Sequence, residues 1–282
     1  MRGKTMPKTA EMYDKFQEEY GSQAAVRKYS PATAGFGINY LLRHDYADEY
    51  LRVINSYLRT SPPRPLRLLE FGCGAGMNIM SLVSLLEENG IPVERAYGTD
   101  FSQTLVDTAT QEAKASLPPA IAGKLSFHVG HNELLVQDLA AARGKPVGDL
   151  DGYFDLILGV NTFRYCHRLG KERECAADVY RLLRPGGVCI NIDMNDRFPV
   201  FRSRFKKDPS QDPIEVYTPT LEEYASPFKI AGFEILTKKH FCWVPHSAGA
   251  ALTLSCRMAS PFLNLVARSR AMRSLVVARK PA

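Results

Sequence analysis

Residues Leu66 to Asn78 read LRLLEFGCGAGMN, and this stretch decides the fold. Leu66, Leu68, Leu69 and Phe71 form a short apolar run of the kind that a buried parallel strand needs. Gly72, Gly74 and Gly76 follow at a spacing of two, which lets the backbone turn sharply and approach a ligand closely. From Met77 the period becomes helical, with Met80, Val83 and Leu86 recurring until Gly90 supplies a C-terminal stop. Strand, glycine turn and helix together predict the first unit of an α/β sheet.

The acid beside the glycines limits the ligand. A dinucleotide fingerprint, GxGxxG, sets pyrophosphate over the N-terminus of a helix. Here the spacing is GxGxG, and Glu70 stands two residues before the first glycine, where its carboxylate repels phosphate and suits a cation. S-adenosyl-L-methionine carries a sulfonium and an ammonium, no phosphate, and a ribose whose hydroxyls call for a second acid on the next strand. Asp100, in AYGTDFS, stands 24 residues beyond Gly76, near the interval expected of a ribose-binding acid in a βαβ unit.

With Glu70, Gly72, Gly74 and Gly76, then Gly98, Asp100 and Ser102, then Leu183 to Gly187 (LRPGG), the chain resembles the class I S-adenosylmethionine-dependent methyltransferases. The subgroup it is most similar to is the small-molecule one of ubiquinone and menaquinone methylation. The resemblance covers roughly Leu66 to Gly187. It implies a Rossmann-like, seven-stranded, mostly parallel sheet with helices on both faces. It also implies S-adenosylmethionine as cofactor, contacted by Glu70, Gly72, Cys73, Gly74, Gly76, Asp100, Phe101, Asn132 and Asn161. Relatives usually place an aspartate after the third strand to meet the adenine amino group; here Gly130, His131, Asn132, Glu133 stand instead, so His131, Asn132 or the backbone alone remain as adenine contacts.

Composition excludes other classes. A net charge of +6 is spread along the 282 residues instead of gathered in one block, which argues against a nucleic-acid partner. Cysteines 73, 166, 175, 189, 242 and 256 form no CxxC pair, so neither a metal site nor a disulfide framework is expected, and reduced thiols fit a cytoplasmic location. No apolar run reaches the length of a membrane span, and MRGKTMPKTA lacks the apolar centre of a secretion signal.

The expected organisation is a single domain. Residues 1–60 form an N-terminal helical cap, SPPRP at 61–65 a stiff linker, and residues 61–282 the core with a basic insertion or lid at 196–218 before the last two strands. Within the cap, SPATAGFG at 30–37 marks a bend, and Tyr13, Phe16, Tyr20, Tyr29, Tyr40 and His44 are candidates to line a pocket. In the core we expect a helix from Gln103 to Lys114, strands at Leu125–Val129, Tyr153–Val160, Val188–Met194 and Glu234–Phe241, and helices at Glu172–Leu183, Leu221–Ala231 and Pro261–Ala271. Arg273–Arg279 is expected to close the sheet, antiparallel.

Chemistry belongs beyond the carboxyl ends of the strands. After the fourth strand stand Asn161, Thr162, Phe163, Arg164 and Tyr165, with Arg164 and Tyr165 where small-molecule relatives often carry two histidines. Tyr165 is therefore a candidate catalytic residue, to orient a nucleophile or take its proton, and Arg164 a candidate to hold an anionic substrate. His44 and His246 are further candidate bases; His240, Trp243 and His246 stand at the end of the sixth strand, where the segment FCWVPHSAG, 241–249, is expected near the pocket mouth. Asp193 and Asn195 end the fifth strand on the same edge, and the basic cluster Arg202, Arg204, Lys206 and Lys207 is a candidate to attract an acidic substrate. No NPPY or DPPY tetrapeptide is present, which argues against methylation of adenine N6 or glutamine amides. The expectation is methyl transfer to an oxygen or nitrogen of a small organic metabolite, with RNA methylation or a non-catalytic cofactor-binding partner as the alternatives.

Overall fold

A computed structural model describes residues 18, 20, 22, 26, 46–60, 63–199, 218–244 and 250–282. Helix α1, Tyr46–Thr60, precedes strand β1, Leu66–Phe71. Helix α2 (Met77–Glu88), β2 (Val93–Asp100), α3 (Gln103–Ser116), the short α4 (Pro119–Ala122) and β3 (Leu125–Val129) build one half of the sheet. The other half runs through α5 (Leu135–Ala142), β4 (Phe154–Val160), α6 (Phe163–Leu169), α7 (Glu172–Leu182), β5 (Leu183–Met194), α8 (Leu221–Ile230), β6 (Glu234–Phe241), α9 (Ala250–Val266) and β7 (Arg273–Arg279).

The seven strands lie in the order β3-β2-β1-β4-β5-β7-β6. Pairs β3–β2, β2–β1, β1–β4 and β4–β5 are parallel, while β7 is antiparallel to both β5 and β6. The expected mostly parallel, seven-stranded sheet is present, with one correction: β7 does not close it. It is inserted between β5 and β6, which leaves β6 at the edge. Strand order reverses between β1 and β4, and the crevice at such a reversal is where an open α/β sheet binds its ligand.

Period-two alternation sorts the sheet's side chains between two cores. Leu66, Leu68, Leu156, Leu158, Ile190, Ile192, Leu275 and Val277 pack under α1 and α2. Leu69, Phe71, Ile157, Cys189, Val276 and Ala278 pack under α5, α7 and α8. The apolar face of α1 anticipated from Tyr46, Tyr50 and Val53 is fully used, since all three are buried. Helix α8 begins with a capping box that the sequence reading passed over: Thr220 Oγ1 accepts the Glu223 N–H at 3.3 Å and Glu223 Oε2 accepts the Thr220 N–H at 2.7 Å.

Other boundaries moved. Strand β5 starts at Leu183, five residues before the expected Val188, because Leu183 already pairs with Phe154; Pro185, Gly186 and Gly187 bulge out before pairing resumes at Leu156–Val188. Helix α9 starts eleven residues earlier than the expected Pro261 and contains that proline, and only a 3-10 turn, Arg268–Arg270, follows it. The lid expected at 196–218 falls mainly on residues outside those described, as do Arg202, Arg204, Lys206, Lys207, Tyr13, Phe16, Tyr29, Tyr40, His44 and His246. Among the described residues no helix is long and apolar enough to cross a membrane.

Asp155 fastens the end of the sheet opposite the crevice. Fully buried, its Oδ1 accepts from Tyr57 Oη at 2.6 Å and from Arg64 Nε at 3.2 Å, and its Oδ2 accepts the Arg67 N–H at 2.8 Å. Arg184 Nε lies 3.1 Å from Oδ1. One carboxylate thus joins α1, the linker, β1 and the β5 bulge to β4. Truncating it strands several donors in the interior, so Asp155→Ala should lower the unfolding free energy by roughly 3 kcal/mol or more, read from urea denaturation.

Candidate active site

The turn after β1 is shaped by close approach. Gly72, Gly74 and Gly76 hold φ of +59°, +55° and +76°, a region that side chains resist. A Cβ on Gly72 would stand 1.9 Å from Thr162 Oγ1, so the turn lies directly against the end of β4. The turn is tied to β2 as well: the Cys73 N–H donates to the Thr99 carbonyl at 2.9 Å, and the Gly74 N–H donates to Asp100 Oδ2 at 2.9 Å. Asp100 Oδ1 accepts the Ser102 N–H at 3.0 Å, while Ser102 Oγ caps α3 by accepting the Leu105 N–H and donates to the Tyr20 carbonyl at 2.9 Å.

A cavity opens at the crevice over this turn. Glu70, Gly72, Cys73, Gly74, Asp100, Phe101, Asn132, Asn161 and Tyr165 line it, so nine of the predicted site residues meet in one place. Gly76 is absent from the lining; it is packed against Met80 and Phe127 under the turn. His44 and His246 lie outside the described residues. His240 bonds Ser274, Trp243 donates to Asn264 Oδ1 on α9, and neither lines the cavity. Asn195 likewise serves structure, donating to the Ser269 and Ala271 carbonyls.

Glu70 is the central charge. Its Oε1 accepts from Asn78 Nδ2 at 2.8 Å, and Asn78 Oδ1 accepts from Tyr50 Oη at 2.7 Å, a chain from β1 through α2 to α1. Its Oε2 is buried and makes no hydrogen bond. Burial pushes the Glu70 carboxyl up to about 8, against the Asn78 side chain and the Ile79 backbone N–H, and pushes Asp100 up to about 6 against its two backbone donors. Asn161, held at φ +55° at the end of β4, also carries a buried oxygen, Oδ1, with no hydrogen bond. Two acceptors without donors in one cavity fit a ligand bearing N–H donors and positive charge, which an aminoacid-like sulfonium compound supplies. Asp100, at the neighbouring strand end, stands where ribose hydroxyls are expected.

On the far side of the turn, Asn132 Nδ2 donates to Thr162 Oγ1 at 3.0 Å, and Asp138 Oδ2 accepts from the His131 N–H at 2.8 Å and lies 3.1 Å from its Nδ1. Glu133, singled out by no motif, lines the same wall, and burial raises its carboxyl. Tyr46, Met77 and Leu169 also reach the cavity, brought there by elements far apart in sequence.

Arg164, a candidate to hold an anionic substrate, lines the cavity. It is buried, its N–H and Nη1 donate to the Asp193 carboxylate at 3.0 and 2.9 Å, and its Nη2 donates to Tyr165 Oη at 2.7 Å. Its charge is thus paired within the protein at the cavity wall. His167 packs on Phe163 and Tyr224 with ring centroids 5.0 and 5.7 Å away.

The raised carboxyls link folding to pH. A carboxyl whose folded pKa exceeds its unfolded one stabilises the fold below the unfolded value and loses that contribution as pH climbs through the folded value. For Glu70 the window runs from 4.5 to about 8. The ligand-free protein should therefore lose stability across that window in denaturant titrations, and Glu70→Gln should flatten the loss.

Comparison with known proteins agrees with this geometry. The sequence model of the family described as "Methyltransferase domain" matches residues 69–189. The chain is 28% identical over 184 residues to the non-reducing polyketide synthase tazA of Aspergillus terreus, a match covering 65% of this chain and 6% of that protein. The chain thus spans only a small fraction of the length of such relatives. Among solved structures it resembles the citrinin polyketide synthase CMeT domain (TM-score 0.55, 17% identity, 84% of this chain and 52% of that one). It also resembles an S-adenosylmethionine-dependent methyltransferase from Methanosarcina mazei (TM-score 0.54, 15% identity, 81% of this chain and 97% of that one). The motif order, the strand order and the cavity agree with the match of residues 69–189 to a methyltransferase domain, on a Rossmann-like methyltransferase fold.

Proposed function

We propose that the protein moves a methyl group from S-adenosylmethionine to a small organic metabolite held in the crevice between β1 and β4. The observation that carries this reading is the set of acceptors on one cavity: Glu70 Oε2 and Asn161 Oδ1 without partners, and Asp100 beside them. Glu70 and Asn161 would receive the ammonium and sulfonium end, Asp100 the ribose hydroxyls, and the wall of His131, Asn132 and Glu133 the adenine.

When bound, the sulfonium supplies an electrophilic methyl carbon with a neutral thioether as leaving group. The protein's share is then to align the accepting atom and to exclude water. The glycine turn brings backbone within reach of the ligand, and the buried residues of α1, Tyr46 and Tyr50, cover the Glu70 side. Our reading of the accepting atom is an oxygen or nitrogen. A carbon acceptor is the second reading, favoured by the polyketide synthases among the relatives and by the CMeT domain among the structures. A cytoplasmic location belongs to the same proposal.

Methyl transfer from isotopically labelled S-adenosylmethionine into an extract separated into small molecules, RNA and protein tests the substrate class. Label is expected in the small-molecule fraction; label in nuclease-sensitive material would put RNA methylation in its place. The mass and fragmentation of the labelled product then decide between oxygen, nitrogen and carbon. In parallel, Asp100→Ala should weaken S-adenosylhomocysteine binding by about tenfold or more, about 1.4 kcal/mol, measured by calorimetry; unchanged affinity would remove Asp100 from the ribose site.

A further inference from the structure

Helix α9 inverts the pattern of an ordinary surface helix, which turns its apolar stripe inward. Its half-buried residues, Thr253, Cys256, Ser260 and Leu263, form a narrow seam that is mostly small or polar, and none of residues 251–266 is buried. The large apolar side chains point the other way. Leu254, Met258, Phe262 and Leu265 are 62%, 76%, 67% and 84% exposed. Their spacings of four, four and three residues, at about 3.6 residues per turn, set them in one row on the side opposite the seam. Leu252 and Val266, also exposed, extend the apolar surface toward both ends. Single exposed leucines are ordinary, whereas a continuous row of this kind marks a contact surface.

Charge sorts the occupants. No Asp or Glu stands between residues 235 and 282. Arg257, at the border of the row, and Arg268 and Arg270, in the turn that follows it, are exposed and pair with no described acid. A second copy of the chain would bring this patch against itself, arginines facing arginines with no acid between them, and an isologous contact has to be self-complementary. The occupant is therefore anionic as well as apolar. Shape narrows it further. A row on a helix with no buried residue is a ridge, and the headgroups and acyl chains of a bilayer close around a ridge without a preformed groove. Polar atoms along the helix are also turned away: Ser255 Oγ donates to the Ala251 carbonyl at 3.0 Å, and Asn264 Oδ1 accepts from the Trp243 indole at 2.8 Å. Burial of the row in lipid thus leaves no hydroxyl on it without a partner.

We propose that α9 is an interfacial helix that docks the protein on an anionic lipid bilayer. Leu254, Met258, Phe262 and Leu265 enter the boundary between headgroups and acyl chains, and Arg257, Arg268 and Arg270 meet lipid phosphates. The helix lies on the bilayer and does not cross it, consistent with its length and with the arginine beside its row. The inference stands independently of the methyl-transfer reading and adds the surface at which the protein works.

The test is co-sedimentation of the full chain with vesicles of phosphatidylcholine alone and with vesicles containing phosphatidylglycerol. Binding is expected on the anionic vesicles, weakening as salt is added. Phe262→Glu should lower the partition coefficient by about tenfold or more, and Arg268→Gln with Arg270→Gln by about tenfold together with much of the salt dependence. Circular dichroism of these variants should match the wild type, since all three side chains are exposed. Trp243, the single tryptophan and bonded to α9 through Asn264, gives a readout that needs no substitution: phosphatidylglycerol brominated in its acyl chains should quench its emission. Absence of binding to anionic vesicles, binding that Phe262→Glu leaves unchanged, or binding without quenching overturns the proposal. So does a dimer in analytical ultracentrifugation that Phe262→Glu dissociates, which would assign the row to a second copy.

Discussion

A carboxylate buried with one oxygen unsatisfied is the constraint around which this site is built. Glu70 sits at the carboxyl end of the central strand, where both neighbours are strands and both faces are covered, so water cannot solvate it. The Tyr50–Asn78 chain satisfies Oε1 only. Burial at this cost is tolerated where a ligand completes the set, since an unpaired ionised group in an apolar interior otherwise takes up a proton. The displaced titration of Glu70 is the sign of that incompleteness.

The rest of the architecture delivers partners to this point. Reversal of strand order between β1 and β4 opens the crevice. The glycine turn drops into it because Thr162 leaves no room for a Cβ at Gly72, and Asp100 clamps the turn from the β2 side. At the other end of the sheet, Asp155 performs the complementary task with its charge fully surrounded by donors. Two buried carboxylates thus differ: the one ringed by donors holds elements together, and the other stands at the cavity with one oxygen unpaired.

Much of this was legible in the sequence because it depends on local spacing. The run LRLLEF could only be a strand buried on both faces, and GxGxG with an acid before it could be matched to a ligand class without knowing the fold. Asp100 was found by its interval alone. Glu133, Met77 and Tyr46 escaped because no motif marks them; they reach the cavity only through the packing of α1, α2 and the loop after β3. The pairing of Arg164 was not legible for the same reason. Its neutraliser, Asp193, is 29 residues away on another strand, and side-chain type says nothing about a partner of that kind. Helix α9 starts well before Pro261, a residue that favours a helix beginning but is accommodated here inside a helix largely exposed along its length.

By itself, then, the sequence determined the strand–turn–helix unit, the two acids and the family they indicate, since each follows from residue type at short range, through steric freedom at glycine, hydrophobic period and charge. Only the tertiary structure decided that β7 enters the sheet between β5 and β6, that Asp155 is a hub, and that Arg164 is paired with Asp193 at the cavity wall. Those outcomes depend on which groups distant in the chain meet where water is excluded. There the cost of an unpaired charge or polar atom, small at the surface, becomes large enough to choose the arrangement.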